Sequence, residues 1–337
     1  MKRTAITLAV DAHGGDHGPE VMVGAALDAV AEDPGIEIAL VGIPSDLQPW
    51  LPASLPPRLR VVPSECALQA DARPVSVLRT GTASSLGRAM ELVGGGAADA
   101  VVSAGSTVAL MALGVKMLGR LPGIRRPALM SRIPAANGFT SMLDLGANLA
   151  VDASHLVQFA IMGVVMHGRR DAPPSVGLLN VGHEESKGHA VVQAAHEYLL
   201  ELPLNYHGFI EGNDIFAGRV DVAVCDGFAG NLILKSSEGL ARMLFSELRR
   251  SLRGRTRARL GAWLAAPAVR DVLERYDPAQ HNGAPLLGLR NVVVKSHGSA
   301  DRPATLQALR EAGSEARREV PMHIGELISS YGADSIQ

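Results

Sequence analysis

The sequence predicts an α/β fold, a mostly parallel sheet with helices on both faces and two lobes around a cleft. Short apolar or β-branched runs alternate with segments of helical periodicity along most of the 337 residues. This alternation favours parallel strands joined by right-handed helical crossovers, which cover both faces of a sheet. No fixed-period repeat or low-complexity linker divides the chain. We therefore expect one structural unit over residues 1–337 rather than two independent domains.

Nine short runs fit strands, because they are apolar or β-branched and are bounded by turn residues. In chain order they are Ala5–Val10, Glu37–Val41, Arg60–Val62, Ala100–Ser103, Thr140–Asp144, Val176–Asn180, Gly208–Glu211, Asp221–Cys225 and Asn291–Lys295. Seven segments show the 3.6-residue period of amphipathic helices. They are Pro19–Ala31, Ser84–Leu92, Val108–Leu118, Ser154–His167, His189–Leu200, Leu232–Arg253 and Thr305–Ser330. Pro321 predicts an interruption of the last helix.

Composition and charge exclude several classes of protein. Hydrophobic residues make up 47% and charged residues 20%, with a net charge of −2. That is the profile of a globular chain without an overall field toward nucleic acid or membrane, so such attraction must be local. The start, MKRTAITLAVD, predicts a first strand rather than a signal peptide, and the uncharged stretches 100–115 and 153–168 are too short to span a membrane. Cys66 and Cys225 form no close-spaced pair, which fits a reducing cytoplasm.

Polar and glycine-rich segments follow five of the predicted strands. They are DAHGGDHGP (11–19), SAGST (103–107), DLGAN (144–148), NVGHEESKG (180–188) and DGFAGN (226–231). Ligands of open α/β sheets bind beyond the carboxyl ends of the strands. We therefore expect these five loops to line one cleft.

The loop at 11–19 has three interpretations. Its glycines permit positive φ and Pro19 suits a first helical turn, so the loop can be a plain strand-to-helix connection. Two aspartates, Asp11 and Asp16, and two histidines, His13 and His17, could hold a metal, although their spacing is not a known ligand pattern. An anion-binding turn would place those carboxylates beside the anion, where they repel it. The residues alone leave the three interpretations open.

Cations and hydroxyls near predicted helix starts are candidate anion ligands. Lys187 precedes one helix, Lys235 lies one turn into another, and Ser84 and Ser85 begin a third with outward-facing hydroxyls. Helix N-termini and ammonium groups both attract phosphate. Each has a structural alternative: a solvated lysine, a turn capped by Asp226 and Asn231, or serine N-caps.

Two further residues could take part in chemistry. His297 lies just past a strand end before Gly298, where a histidine can serve in acid–base steps or be purely structural. Cys225 lacks a base nearby in sequence, so a small buried residue is favoured over a covalent nucleophile.

The segment at about 238–276 predicts a basic amphipathic helical hairpin. One helical face collects the apolar residues Leu240, Met243, Leu244, Leu248 and Leu252. Six arginines follow within eleven residues: Arg249, Arg250, Arg253, Arg255, Arg257 and Arg259. Such a surface suits an acidic protein partner or an anionic lipid surface, with a helix packed on a dimer mate as the alternative. Nucleic acid is disfavoured because no aromatic residues are interleaved with the arginines.

Ordered motifs along nearly the whole chain resemble the acyl-ACP:phosphate acyltransferase (PlsX) family of bacterial phospholipid synthesis. They include ADAVVSAGSTVALMALG (98–114), LDLGANLAVDASHLVQFAIMG (143–163), VGLLNVGHEESKG (176–188), and GAPLLG followed by HGS. The resemblance implies a fold similar to phosphotransacetylases and isocitrate-type dehydrogenases, and conversion of acyl-ACP and inorganic phosphate to acyl phosphate and ACP. It implies no cofactor, a cytosolic homodimer with peripheral membrane contact, and a downstream membrane acyltransferase as a partner.

The resemblance and the loop chemistry together give a candidate site. Its predicted catalytic residues are Lys187, Lys235, Asp226 and His297. Its predicted substrate-binding residues are Asp11, Gly14, Gly15, Asp16, Ser84, Ser85, Ser106, Asn148, Gly230 and Asn231. The family usually has methionine in place of His13, so the resemblance favours a cleft-edge turn at 11–19 in which two aspartates orient their neighbours and no metal is held.

The chain also departs from the family pattern. The family tends to show a lysine near Gly81, asparagine at Ser106, glycine at Val108, an Asn-Gly pair around Leu289–Arg290, and serine at Ala300. Losing a lysine and an asparagine from cleft loops would weaken anion binding, so altered chain-length preference or activity is expected. A phosphotransacetylase acting on acyl-CoA, and a weakly active scaffold that binds ACP or membrane, are the alternative functions.

Overall fold

A computed structural model describes residues 5–69, 71–168, 172–253, 266–267, 280 and 282–331 of the chain. Across these ranges eleven strands form one sheet. Seven of its ten strand pairings are parallel and three are antiparallel. The predicted class, a mostly parallel α/β sheet, is confirmed.

Nine of the eleven strands in the described residues overlap the predicted runs. In chain order they are β1 (Ile6–Asp11), β2 (Ile36–Gly42), β3 (Leu59–Pro63), β4 (Ala100–Ser103), β5 (Ala128–Ala135), β6 (Gly138–Leu143), β7 (Ser175–Leu179), β8 (Asn205–Ile210), β9 (Val222–Val224), β10 (Ala284–Leu287) and β11 (Val292–Lys295). Their order across the sheet is β3-β2-β1-β4-β11-β10-β5-β6-β9-β7-β8. The antiparallel pairing of β10 with β5 joins a first half, around β1, to a second half, around β9.

The helices lie on both faces of the sheet. They are α1 (Gly18–Glu32), α2 (Pro44–Leu47), α3 (Pro74–Thr80), α4 (Ser85–Gly94), α5 (Thr107–Leu113), α6 (Ala153–His167), α7 (Ala190–Glu201), α8 (Gly212–Ala217), α9 (Gly227–Arg253), α10 (Arg302–Arg317) and α11 (Val320–Ser330). A π turn, Gly114–Leu118, continues α5. The long helix predicted at 305–330 is interrupted at Glu319, which has a φ of 50° just before Pro321.

Alternation along β1 shows how the layers are built. Leu8 and Val10 pack against α1 and α10 on one face, whereas Ala9 faces a cluster that includes α4 and α5. Successive side chains of a strand point to opposite faces, so a strand covered on both sides is apolar throughout. The cluster under α4 and α5 continues beneath the second half through Ile210 and Ala223. One hydrophobic core layer therefore spans both halves of the sheet.

Two strands, β5 and β10, were not predicted from the sequence. β5 carries Arg132 and Pro134 within its run, and the four-residue β10 contains Pro285. Proline and charge inside a short run argue against a strand, because proline cannot donate to the ladder. Here the two strands make the antiparallel seam between the halves, so the proline-bearing strands are paired where the parallel pattern is broken.

The predicted helical hairpin at 238–276 lies only partly within the described residues. Helix α9 extends to Arg253, and residues 254–265 and 268–279 lie outside them, together with Arg255, Arg257 and Arg259. Among the described residues, no helix is long and apolar enough to cross a membrane.

Candidate active site

Three glycine-containing loops meet at the carboxyl ends of β1, β4 and β11. Asp11, at the end of β1, is almost fully buried and accepts hydrogen bonds from the Ser103 hydroxyl at 2.6 Å and the His13 backbone N–H at 3.2 Å. The Ser103 hydroxyl in turn accepts from the backbone N–H of Gly105 at 3.0 Å. A buried carboxylate therefore holds the loop after β4 in place, as expected of an aspartate that orients its neighbours.

The turn at Gly14–Asp16 has room only for glycine at its first two positions. A Cβ added at Gly14 would lie 2.7 Å from the backbone nitrogens of Ala104 and Gly105. Gly15 has a φ of 86° and lies against Gly298, whose carbonyl accepts from the Asp16 backbone N–H at 2.7 Å. Close backbone packing and a positive φ require glycine here. The turn binds the loops after β4 and β11 to each other.

His13 has a structural role in this loop. Its Nε2 accepts a hydrogen bond from the backbone N–H of Ile43 at 2.9 Å, which ties the loop to the end of β2. Within the described part of the chain, no group of three or more His, Cys, Asp or Glu side chains is placed to hold a metal ion.

Lys295, the last residue of β11, was missed by the sequence analysis. Its Nζ donates to the carbonyl oxygens of Gly105 at 2.8 Å and Ser296 at 3.2 Å. Burial, and secondly the charge of Lys235, lower the pKa of Lys295 to about 8, while the carboxylate of Asp16 acts in the opposite sense. An ammonium has three N–H donors, so one remains for an anion. The sequence does contain a signal for Lys295: it is a lysine at the end of an apolar strand, and ligands bind at that edge of such sheets.

A second group of loops meets at the carboxyl ends of β6 and β9. Asp144 is fully buried and accepts hydrogen bonds from the backbone N–H groups of Leu129 at 2.9 Å and Asn148 at 2.6 Å, and from the Asn148 side chain at 2.9 Å. Burial raises the pKa of Asp144, although these hydrogen bonds oppose the shift. The Asn148 amide also donates to Pro127. Asn148 is thus engaged within the protein and shapes the DLGAN loop.

The start of helix α9 packs directly on this loop. Asp226 accepts from the Ala229 backbone N–H at 2.8 Å, as an N-cap does. A Cβ added at Gly230 would lie 1.9 Å from the carbonyl oxygen of Asp144, and Asn231 lies beside Gly146. The cap interpretation is confirmed for Asp226. Its predicted catalytic role, and the substrate-binding roles of Gly230 and Asn231, stay predictions.

Helix α9 connects the two groups of loops. Two turns after Asp226, Lys235 Nζ lies 3.3 Å from His297 Nε2, in the loop after β11, and 3.1 Å from Glu238. The Ser299 hydroxyl lies 3.0 Å from His297 Nδ1. The backbone N–H of Ser299 donates to the same ring nitrogen at 3.2 Å. Lys235, Lys295 and His297 form what we term the cation cluster.

His297 carries little charge at neutral pH. Burial, and secondly the charge of Lys235, lower its pKa, and Glu238 opposes the shift. A neutral imidazole beside two ammonium groups adds a polar group without adding repulsion. Its expected role as an acid or base stays a prediction.

Lys187 lies apart from the cation cluster in its described contacts. Its Nζ pairs with Glu184 at 2.9 Å in the loop after β7, and its carbonyl accepts from the side chain of Asn180 at 3.1 Å. The Glu184 hydrogen bond raises the pKa of Lys187, so the side chain is a cation at neutral pH. The structure brings four of the five predicted loops together in two groups, and Lys187 stays a predicted anion ligand.

The serines at the start of α4 do not face outward. Both are almost wholly buried, and Ser84 caps the helix by donating to Gly81 and accepting from the Gly87 backbone N–H at 3.1 Å. The expectation of outward-facing hydroxyls was wrong, because the chain before α4 folds over them and the Ser85 N–H donates to Cys66. Ser106, half-buried at the start of α5, makes no side-chain cap.

Cys225 is a small buried residue, as expected. It directly follows β9 with 4% of its surface exposed, and burial raises the pKa of its thiol well above the usual range. A thiol is a nucleophile as the thiolate. The structure gives Cys225 a packing role against Asp144.

Comparisons with known proteins give a consistent result. Residues 6–323 match the family model described as "Fatty acid synthesis protein". The chain is 47% identical to the phosphate acyltransferase of Shewanella amazonensis, covering 98% of this chain and 99% of that protein. It is 46% identical to the phosphate acyltransferase of Methylococcus capsulatus, covering 97% and 98%.

Solved structures support the same fold. A phosphotransacetylase from Streptococcus pyogenes is 17% identical and superposes with a TM-score of 0.62, covering 93% of this chain and 94% of that one. The EutD phosphotransacetylase of Staphylococcus aureus gives a TM-score of 0.57 at 13% identity, with the same coverage. At such identities the likeness concerns the fold alone. The family-model match and the identity to the curated relatives, both over nearly the whole chain, show that this protein belongs to the family of fatty acid synthesis proteins whose named relatives are phosphate acyltransferases.

Proposed function

We propose that this protein transfers an acyl group from the thioester of an acyl carrier protein to inorganic phosphate. The family membership supports phosphate as the acceptor, because its relatives are named phosphate acyltransferases. The observation that carries the proposal is the cation cluster. Two lysines and a histidine from both halves of the sheet meet beside the closely packed turn at Gly14–Asp16.

The reaction requires that phosphate be positioned against the thioester and that the developing negative charge be stabilised. An oxygen of the phosphate dianion forms a bond to the thioester carbon, the C–S bond breaks, and its electron pair leaves with sulfur. Phosphate, with a second pKa near 6, is already a dianion at pH 7, and a thiol with a pKa of about 8.5 is an acceptable leaving group. Holding the two reactants together can contribute about 7–11 kcal/mol. Lys235 and Lys295 supply positive charge where phosphate and the developing oxyanion carry negative charge.

Trapping acyl phosphate with hydroxylamine tests this function. The purified chain with hexadecanoyl-ACP and phosphate should give hydroxamate, and leaving out phosphate should abolish it. Matched reactions with hexadecanoyl-CoA separate the carrier-dependent function from a phosphotransacetylase, which would favour the CoA thioester. A protein that makes no acyl phosphate from either donor would be the non-catalytic scaffold, and the proposal would be wrong.

The lowered pKa of Lys295 predicts a pH dependence of phosphate binding. An amine with a pKa of about 8 is cationic below that pH and neutral above it. We expect the wild-type KM for phosphate to rise between pH 7 and pH 9, since attraction is lost with the charge. The Lys295→Met variant should have a raised KM at pH 7 and little further rise. Identical KM profiles for the two proteins would remove Lys295 from phosphate binding.

We also propose that the apolar face of α9 and the adjacent arginines form a docking surface. Leu240, Met243 and Leu244 are each more than half exposed. Such a face, beside the basic run that begins at Arg249, suits an anionic bilayer or the acidic carrier, and a homodimer could cover part of it. These features support a cytoplasmic enzyme in peripheral membrane contact, near a membrane acyltransferase that consumes acyl phosphate.

Charge reversal tests that surface. Exposed charges are screened over about 8 Å at physiological ionic strength, so binding through arginines should weaken steeply with salt. Changing Arg253, Arg255 and Arg257 to Glu should release the protein from anionic vesicles if lipid docks there, or raise the KM for acyl-ACP if the carrier does. Unchanged vesicle binding and unchanged KM would show that this surface serves neither. Light scattering at micromolar concentration gives the oligomeric state, and a monomer mass would contradict the homodimer.

A further inference from the structure

An apolar groove leads away from the proposed reaction site. A cavity of about 490 Å³ lies between α3, helix α5 with its π turn, and the DLGAN loop. Its α5 wall is formed by Val108, Met111, Ala112 and Val115. These residues recur at intervals of three and four, so they share one helical face. Cavities of this size are typical of small-molecule sites.

The two ends of the groove differ chemically. At one end lies Thr107, two residues after Gly105, whose carbonyl accepts a hydrogen bond from Lys295, so this end lies near the cation cluster. The opposite wall, Gly146–Asn148, carries the start of α9. The walls therefore come from both halves of the sheet.

The far end is lined by charged side chains. Lys116 donates to the carbonyl of Leu78 at 2.5 Å, and Arg125 pairs with Asp152 at 2.7 Å. Arg120 donates to the carbonyl of Arg125, and Arg126 is a fourth cation in the lining. Between the two ends Val108 and Val115, each around two-fifths exposed, present apolar surface to the groove.

We infer that this groove holds the acyl chain of the substrate, with the thioester end at Thr107 and the chain's far end at Val115. The inference rests on the proposed function, and it identifies the part of the protein that determines which acyl-chain lengths are preferred. An acyl chain is apolar, unbranched and attached at one end to the reacting carbon, which matches a groove with an apolar wall along α5 and one end near the cation cluster. Val108 and Val115 are about 10 Å apart along a helix that rises 1.5 Å per residue. Each methylene buried there should raise kcat/KM roughly fourfold.

A pair of tryptophan substitutions tests the direction of the chain. In the Val115→Trp variant the far end is filled, so kcat/KM for hexadecanoyl-ACP should fall at least tenfold while that for butanoyl-ACP stays within twofold. In the Val108→Trp variant the groove is narrowed at the thioester end, so kcat/KM should fall for both hexadecanoyl-ACP and butanoyl-ACP. Leu200→Trp, at a more exposed apolar residue on α7, should change kcat/KM for neither substrate.

A binding measurement keeps this test independent of turnover. A fluorescent long-chain fatty acid should bind the wild type and Leu200→Trp alike, and should bind Val115→Trp at least tenfold more weakly. If the wild type made no acyl phosphate but the three proteins bound the fatty acid as expected, the proposed reaction would be wrong and the assignment of the groove to an acyl chain would be supported. If acyl phosphate formed and the hexadecanoyl-to-butanoyl ratio were unchanged by Val115→Trp, the groove would be wrong. A changed mass of that variant in light scattering would instead assign the face to a second copy, and would also overturn the inference.

Discussion

Replacing Lys235 by Met is expected to lower kcat/KM for phosphate by roughly a hundredfold to a thousandfold, the cost typical of removing one donor from a charge-stabilising site. Lys235 is the member of the cation cluster that comes from the second half of the sheet, and its Nζ reaches His297 in the first half. Its side chain is half exposed and paired with Glu238, so its removal should change the melting temperature little. Phosphate saturation of acyl phosphate formation, with thermal unfolding alongside, measures both effects.

Arg242→Met is the matched control for this experiment. Arg242 lies two turns further along the same helix and pairs with the same carboxylate, at 3.0 Å. The substitution removes the same positive charge from beside Glu238 and leaves the loop after β11 unchanged. The kcat/KM for phosphate should therefore stay within twofold of wild type. Equal losses in the two variants would show that the helix charge, and not the position of Lys235, sets the rate.

Replacing Gly230 by Ala is expected to reduce both stability and activity. The added methyl carbon would lie 1.9 Å from the backbone carbonyl of Asp144, so the start of α9 has to move. Forcing extra volume into a packed site typically costs about 1–3 kcal/mol in the free energy of unfolding. The shift also displaces Lys235, and a displacement of about 1 Å can cost a hundredfold in rate. Denaturant unfolding and kcat should therefore both report the change.

Gly239→Ala provides the opposite expectation on the same helix. A Cβ at Gly239 would meet no atom within 4 Å. Alanine in a helix interior is favoured over glycine by roughly 0.5–1 kcal/mol, so this variant should be slightly stabilised and fully active. A Gly230→Ala protein as stable and as active as Gly239→Ala would contradict the packing described for the start of α9.

Local structure could be predicted from the sequence better than the contacts between distant residues. Strand positions and the five loops follow from periodicity and from glycine placement, which are local properties. The packing of Asp144 and the lowered pKa of Lys295 depend on contacts between distant segments, and no pattern of neighbouring residues contains them. Ser84 shows the same limit. Its N-cap role was readable from the start of α4, but its burial depends on the chain that folds over it.

The length of α9 links the proposed chemistry to the proposed surface. The same continuous helix carries Lys235 near one end and the exposed face at Leu240–Leu248 further on, with Gly230 fixed against Asp144. A rigid element with a ligand at each end obeys thermodynamic reciprocity. If docking of lipid or carrier at the exposed face changes the affinity for phosphate by some factor, saturating phosphate must change the affinity of that face by the same factor. Vesicle-binding isotherms with and without phosphate would therefore measure the coupling in the direction opposite to enzyme assays.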